Sequence, residues 1–226
     1  MISQEDKKRL GIESFQRNIH RYFNFYRSFF DSESLALEFI CLCEADIYLK
    51  RMMHQLVRII SMADNAYKLD ESTCLDGVKL QYLIMAIESL FEAQNQTNKK
   101  TKSHIVSTFF TQYIRSKDQE VLSNGIVSME LETTTISEIA HIFNGVRNTV
   151  AHEGINWLCR FAEEENYYGY IFKPKKDEKD SLYYLGDDRD LTKVDKFWVK
   201  LNYTAVRDII VRGLIDFINK NLETRK

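Results

Sequence analysis

The sequence predicts a mainly α-helical bundle with a small β-hairpin placed before its last helix. Three observations predict it. Apolar residues recur three and four positions apart over several long segments, the period of helices with one buried face. One proline and eight glycines in 226 residues leave few points where such segments must break. One region, 165–201, leaves the helical period and is rich in β-prone aromatic residues.

Taken in order, Ser3 is placed to cap a first helix reaching about Phe30, whose aromatic stripe from Phe15 to Phe30 reads as core. Asp31-Ser32 is a turn and cap. A long helical pattern follows from Glu33 to about Lys68, with Leu37, Ile40, Ile47, Leu56 and Ile60 on its inner face and Asp64-Asn65 as a candidate end. Lys50, Arg51, His54 and Arg58 share one face of it, read either as solvated surface or as an RNA-backbone contact. Ser72-Thr73 caps a helix from about Leu75 to Asn95, with Leu80, Leu83, Ile84, Ile87, Leu90 and Phe91 inside and Glu88 beside them. After the polar connector Gln94–Lys100 come a helix over Ser103–Ile114 and a short helical piece over Asp118–Asn124, closed by an Asn124-Gly125 turn signal. The acidic, threonine-rich stretch up to Thr135 reads as a loop. Thr135 or Ser137 then starts a helix carrying Ile136, Ile139, Ile142, Phe143 and Val146 at helical spacing.

Beyond it, Ile155–Ala162 is expected to be a short helix. Tyr167–Phe172 and Leu182–Leu185 form a β-hairpin around a charged tip, and Phe197–Leu201 is a third short strand. Thr204 caps the last amphipathic helix, with Val206, Ile209, Ile210, Leu214, Phe217 and Ile218 inward. No repeat or low-complexity linker divides the chain, so one domain over 1–226 is expected: N-terminal helices over 1–70, a core over 73–160, a hairpin insertion over 165–201 and the C-terminal helix over 204–223.

The formal net charge is −2 and the pI about 6.2, so any polyanion must be held by a local basic cleft rather than by a basic body. The N-terminal segment lacks a signal-peptide core and no run is long and apolar enough to span a bilayer, so a cytoplasmic protein without membrane contact is expected. Cys41, Cys43, Cys74 and Cys159 read as reduced thiols rather than a disulfide frame. Phosphate-loop, dinucleotide and nucleophile-elbow glycine patterns are missing, and His20, His54, His104 and His141 are scattered without metal-ligand spacing, so no cofactor or metal is expected.

The chemistry concentrates at Arg147-Asn148-Thr149-Val150-Ala151-His152, which ends the Ile136 helix. Asn148 and His152 are one helical turn apart and share a face. Arg147 and His152 lie about 140° apart around an ideal helix. The arginine must therefore swing round, or the helix must distort near Gly145 or Gly154, or the arginine must serve a partner subunit. Histidine suits acid–base work near neutral pH, and an arginine fork matches phosphate oxygens. RNA carries its own nucleophile, the 2′-OH, and its cleavage needs a base, an acid and positive charge for the transition state, with no metal. On the bland reading, Arg147 pairs with a nearby carboxylate or carbonyl and His152 favours the helix C-terminus.

Arg147-Asn148-x-x-x-His152 resembles the RNxxxH motif of the HEPN superfamily, matching all three specified positions, and Glu153-Gly154 resembles its usual continuation. Tyr82–Phe91, with Ala86-Ile87-Glu88-Ser89-Leu90, is similar to the (A)xE(A/S)L helix of the Apea-like HEPN branch. The resemblance covers roughly residues 73–160. It implies a HEPN-type helical bundle and a metal-independent endoribonuclease cutting RNA by 2′-OH attack, in defence or toxin–antitoxin biology. It implies also a homodimer in which two motif helices line one solvent-reachable cleft, with an antitoxin or defence-system protein as a further partner. On this reading Arg147, Asn148 and His152 are catalytic. Asn144, His141, Lys50 and Arg51 are candidates to bind RNA. Glu88 is a supporting residue, either an ordinary polar side chain or one that holds the Arg147 guanidinium. Two alternatives stand beside it: a non-catalytic RNA- or nucleotide-binding sensor module, and a helical dimerisation protein.

Overall fold

The computed structural model describes residues 19–66, 75–94, 101–130, 134–154, 158–163, 168–174 and 194–224. The expected Ser3 and Ser72-Thr73 caps, the Leu182–Leu185 strand, most of the charged hairpin tip, and Cys74 lie outside them. The described chain is mainly helical with one small antiparallel sheet. Its elements are α1 (19–26), a 3₁₀ turn Arg27–Phe29, α2 (Glu33–Ala45), α3 (Ile47–Asn65), α4 (Asp76–Ala93), α5 (Lys102–Gln112), α6 (Ser116–Gly125), β1 (Ile126–Ser128), α7 (Ile136–Glu153), β2 (Cys159–Arg160), β3 (Gly169–Pro174), β4 (Val194–Val199) and α8 (Tyr203–Glu223).

The centre of the bundle is α4. Apolar residues occupy most of its circumference, the pattern of a helix covered on nearly all sides rather than along one stripe. It packs against α3, α5, α7 and α8. Phe91 stacks on Phe217 of α8 with ring centroids 4.5 Å apart, and Tyr113 meets both rings edge-on. The aromatic residues of α1 are core, as expected: Tyr22 and Tyr26 are buried, and the Tyr26 hydroxyl donates to the Met53 carbonyl at 3.0 Å.

The expected single helix from Glu33 to Lys68 is two helices. Asp46 adopts an extended conformation between them, and its Oδ1 accepts from the Tyr48 and Leu49 amides at 2.8 and 3.1 Å. An aspartate that satisfies two amide donors lacking partners at a helix start offers the backbone an alternative to continuing the preceding helix. The first helix likewise stops short of Phe30: it ends at 26 and tightens into the 3₁₀ turn.

The sheet is more than a hairpin decoration. Its order is β1-β4-β3-β2, all antiparallel. The stretch expected as a loop before Thr135 begins with a strand, Ile126–Ser128, in which the β-branched Ile126 and Val127 pair with Val199 and Trp198 and Ser128 pairs with Phe197. Asn124-Gly125 is the end of α6 running straight into that strand, and the Leu201 side chain fills the space a Cβ at Gly125 would need. β3 takes as its partner Val194–Val199, which starts three residues before the expected Phe197–Leu201 strand and ends at Val199, in the register Tyr170 to Trp198. The described part of the expected Ile155–Ala162 helix is strand β2, paired with Ile171 and Tyr170. A Cβ on Gly169 would overlap the Arg160 carbonyl, so only glycine lets β2 and β3 approach this closely. The sheet lies against α7, where the Lys173 side chain passes 3.6 Å from the position of a Cβ on Gly145.

Replacing Asp46 with alanine is expected to lower stability by about 1 kcal/mol in urea denaturation, while Asp46→Asn, which keeps an acceptor, retains most of it. Equal losses in both variants would remove the cap as the reason for the break between α2 and α3.

Candidate functional site on the motif helix

Helix α7 is fixed at both ends. Thr135, not Ser137, is its cap: Thr135 Oγ1 accepts from the Glu138 amide at 3.2 Å, and Glu138 Oε2 accepts from the Thr135 amide at 2.7 Å. Donation to the Glu138 carboxyl from the Thr135 amide, and then from the Thr135 hydroxyl at 2.8 Å, holds that carboxyl below its ordinary range. At the other end Gly154 takes the left-handed conformation, φ 68°, and its amide donates to the Val150 carbonyl at 3.2 Å. The helix runs unbroken through Arg147 and His152, so distortion near Gly145 does not bring the two together.

Most of the circumference of α7 is buried, Ile139, Ile142, Phe143, Val146 and Val150 among it. Asn148 and His152 lie on the exposed remainder with His141. Arg147 falls on the inner flank and is only 6% exposed. Its Nη2 donates to Glu88 Oε2 at 2.7 Å, and its Nη1 donates to Asn148 Oδ1 at 3.0 Å. Glu88, also 6% exposed, is thus the residue that holds the guanidinium and sets its direction. Lys102 Nζ, from the start of α5, stands 3.7 Å from the same carboxylate oxygen. Glu88 thus faces two cations, the buried Arg147 and the solvent-exposed Lys102, and Arg147 links the pair to Asn148. Glu88 Oε1 and Arg147 Nε are buried without hydrogen-bond partners. The network is incomplete, and such a network is costly in a low-dielectric interior.

The expectation that Arg147 lines an open cleft is therefore not met within one chain: the helical position of residue 147 turns it inward, to the buried Glu88 carboxylate. Asn148 and His152 are together on the surface, as their spacing requires. Asn144 is buried, with Oδ1 unpartnered. His141 is exposed and lines a separate hollow of about 300 Å³ with Glu138, Lys173, Asp195 and Lys196.

Lys50 and Arg51 lie elsewhere. They line a cavity of about 610 Å³ between α1 and α3 together with Arg21, His54, Gln55 and Arg58. Since α3 packs on α4 and α4 on α7, this cavity and the motif strip belong to different layers of the bundle. Glu44 of α2 reaches the same place, accepting from Lys50 Nζ at 2.6 Å and facing His54 Nε2 at 2.9 Å. Burial of Glu44 pushes its pKa up, but the hydrogen bonds and charges of Lys50 and His54 outweigh that and hold it below the ordinary range. Sequence reasoning missed Glu44, Arg21 and Lys102. Each joins its cluster from a different helix, and no local pattern marks such a meeting.

Cys43 and Cys159 are buried and Cys41 is exposed; burial pushes the Cys43 thiol up to about 12. Among the described residues no group of three His, Cys, Asp or Glu side chains is placed to hold a metal ion, and no helix is long and apolar enough to cross a membrane. Comparisons with protein-family models, with curated proteins and with solved structures found no match.

Two outcomes test this geometry. Glu88→Leu strands a buried guanidinium and is expected to cost about 3–5 kcal/mol, whereas adding Arg147→Met to it costs far less, the two single changes and the double read as a double-mutant cycle in urea. Additive losses would mean that the pair is not coupled. Because the folded Glu44 pKa is lowered, its contribution is present above the unfolded carboxylate pKa and fades as pH falls through the folded one. The stability gap between the native chain and Glu44→Gln should accordingly be full at neutral pH and close as pH falls below the ordinary carboxylate range. A gap constant down to acid pH would contradict the pairing with Lys50 and His54.

Proposed function

We propose that the chain is a metal-independent endoribonuclease of the HEPN type that works as a homodimer. The observation that supports this best is the exposed Asn148–His152 strip, one turn long, on an otherwise mostly buried helix, with Asn148 Oδ1 held by the Arg147 guanidinium that pairs with Glu88. One imidazole cannot serve as base and acid in the same step. Two copies facing each other across α7 supply two. One His152 takes the proton from the 2′-OH as its oxygen bonds to phosphorus. The other His152 gives a proton to the 5′-oxygen as the P–O5′ bond breaks. The products are a 2′,3′-cyclic phosphate and a 5′-hydroxyl. Asn148, its Oδ1 held by Arg147, keeps its amide donor for a phosphate oxygen. Arg147 on this reading is a positioning residue, and its charge, shared with Lys102, favours the developing negative charge.

A second reading rests on the same ion pair. With its guanidinium already facing Glu88, Arg147 is poorly placed to neutralise a phosphate, which favours a module that binds RNA without cutting it.

Labelled single-stranded RNA incubated with the protein in EDTA separates the two. Cleavage that falls by about 100-fold or more in His152→Ala, with folding and dimerisation unchanged in sedimentation, supports the nuclease. RNA that binds, stays intact and is released by Asn148→Ala supports the binding module. Cleavage equal in the native protein and in both variants would reject the motif helix as the site.

A further inference from the structure

The cavity between α1 and α3 is outside the site just described, and its charge is unusual for this chain. The protein carries a formal net charge of −2. Yet Arg21, Lys50, Arg51 and Arg58 converge on one cavity with His54. Glu44 answers Lys50 and His54. Arg21, Arg51 and Arg58 are exposed and have no carboxylate partner among the described residues. The arrangement follows from helix geometry. Positions 50, 54 and 58, and positions 51, 55 and 58, are three or four apart and so share one face of α3, while Met52, Met53, Leu56, Ile59 and Ile60 hold the opposite face in the core. Arg21 closes the cavity from α1.

Gathering guanidinium groups without counter-charge costs electrostatic free energy, which an anion relieves. Guanidinium forks match phosphate oxygens in pairs. At about 610 Å³ the cavity is the size of a small-molecule site and exceeds what a single phosphate would fill. One wall is flat, formed by His54 stacked on Tyr22 with ring centroids 4.5 Å apart and planes 23° from parallel. Gln55 also lines the cavity, and its Oε1 is buried without a partner, an acceptor in want of a donor.

We propose that this cavity binds a small ligand carrying a di- or triphosphate group. Arg21, Arg51 and Arg58 hold the phosphates. A nucleoside attached to them would lay its base against the His54 ring and offer Gln55 a donor. The site stands apart from the motif helix and does not rest on the nuclease reading. Free tripolyphosphate and a nucleoside triphosphate share the recognised chemistry, and the experiment tells them apart.

Isothermal titration of the full chain at about 100 mM salt, where pure counterion attraction is partly screened, uses four probes: ATP, inorganic tripolyphosphate, adenosine and a single-stranded RNA. Expected are one ATP or tripolyphosphate per chain, no heat with adenosine, and affinity for both phosphates weakened roughly tenfold or more in Arg51→Ala/Arg58→Ala, and again in Arg21→Ala from the other wall. These arginines are exposed, so an unchanged melting temperature excludes unfolding as the cause, and Lys117→Ala, on α6, serves as a charge control that leaves binding intact. ATP binding tighter than tripolyphosphate adds the base contact with His54 and Gln55; equal affinity leaves phosphate recognition alone. The proposal is overturned if neither phosphate binds at about 1 mM, if the arginine variants bind as the native chain does, or if RNA binds here and neither phosphate competes with it.

Discussion

Glu88 and Arg147 lie 59 residues apart in the chain and meet in the interior with an oxygen–nitrogen distance of 2.7 Å. Each belongs to a helix whose buried positions are mostly apolar, so the pair is a polar tie between α4 and α7. A buried ion pair is poor evidence of added stability, because desolvation offsets much of the attraction. Its effect is on specificity. Any slip of α7 along or around α4 would leave a carboxylate or a guanidinium without its counter-charge in a low-dielectric interior. The pair therefore sets the rotation of α7, and that rotation puts Asn148 and His152 on the surface. The capping box at Thr135, the left-handed Gly154 and the sheet against Gly145 then hold the helix at its ends and flank.

The same constraint explains how a mildly acidic protein manages its cations. Several arginines are spent as two-point ties between elements: Arg115 to Asp216, and Arg212 to Asp118, each with both forks on one carboxylate. These join α8 to the region around α6. Arg21, Arg51 and Arg58 make no such tie among the described residues, and they line one cavity together. Charge that a fold does not need for its own assembly, gathered at one place against repulsion, is a feature of a surface shaped by a ligand.

Much of the helical framework was legible in the chain. Leu80, Leu83, Ile84, Ile87, Leu90 and Phe91 announced α4, and Ile139, Ile142, Phe143 and Val146 announced α7, because burial of one helical face imposes a local period. Asn148 and His152 followed from the same period. Other features were not legible. Asp46 looked like one more polar residue in a long helical pattern until its carboxylate was seen capping two amides. Ile126–Ser128 was too short to stand out as a strand, and its identity comes from pairing with residues around 198, far along the chain. Glu44, Arg21 and Lys102 carry no local signal at all.

By itself, then, the sequence determined most of the helical segments, the buried faces of α4 and α7 and the three polar residues at the end of α7, since each of these depends on neighbours within a turn or two. The tertiary structure alone decided that Arg147 points inward, that Glu88 is its counter-charge, and that arginines from two helices surround one cavity. The physical reason is range. Hydrophobic periodicity and capping act between residues close in sequence, whereas the direction of a charged side chain is set by whichever opposite charge the packing of distant helices brings within reach.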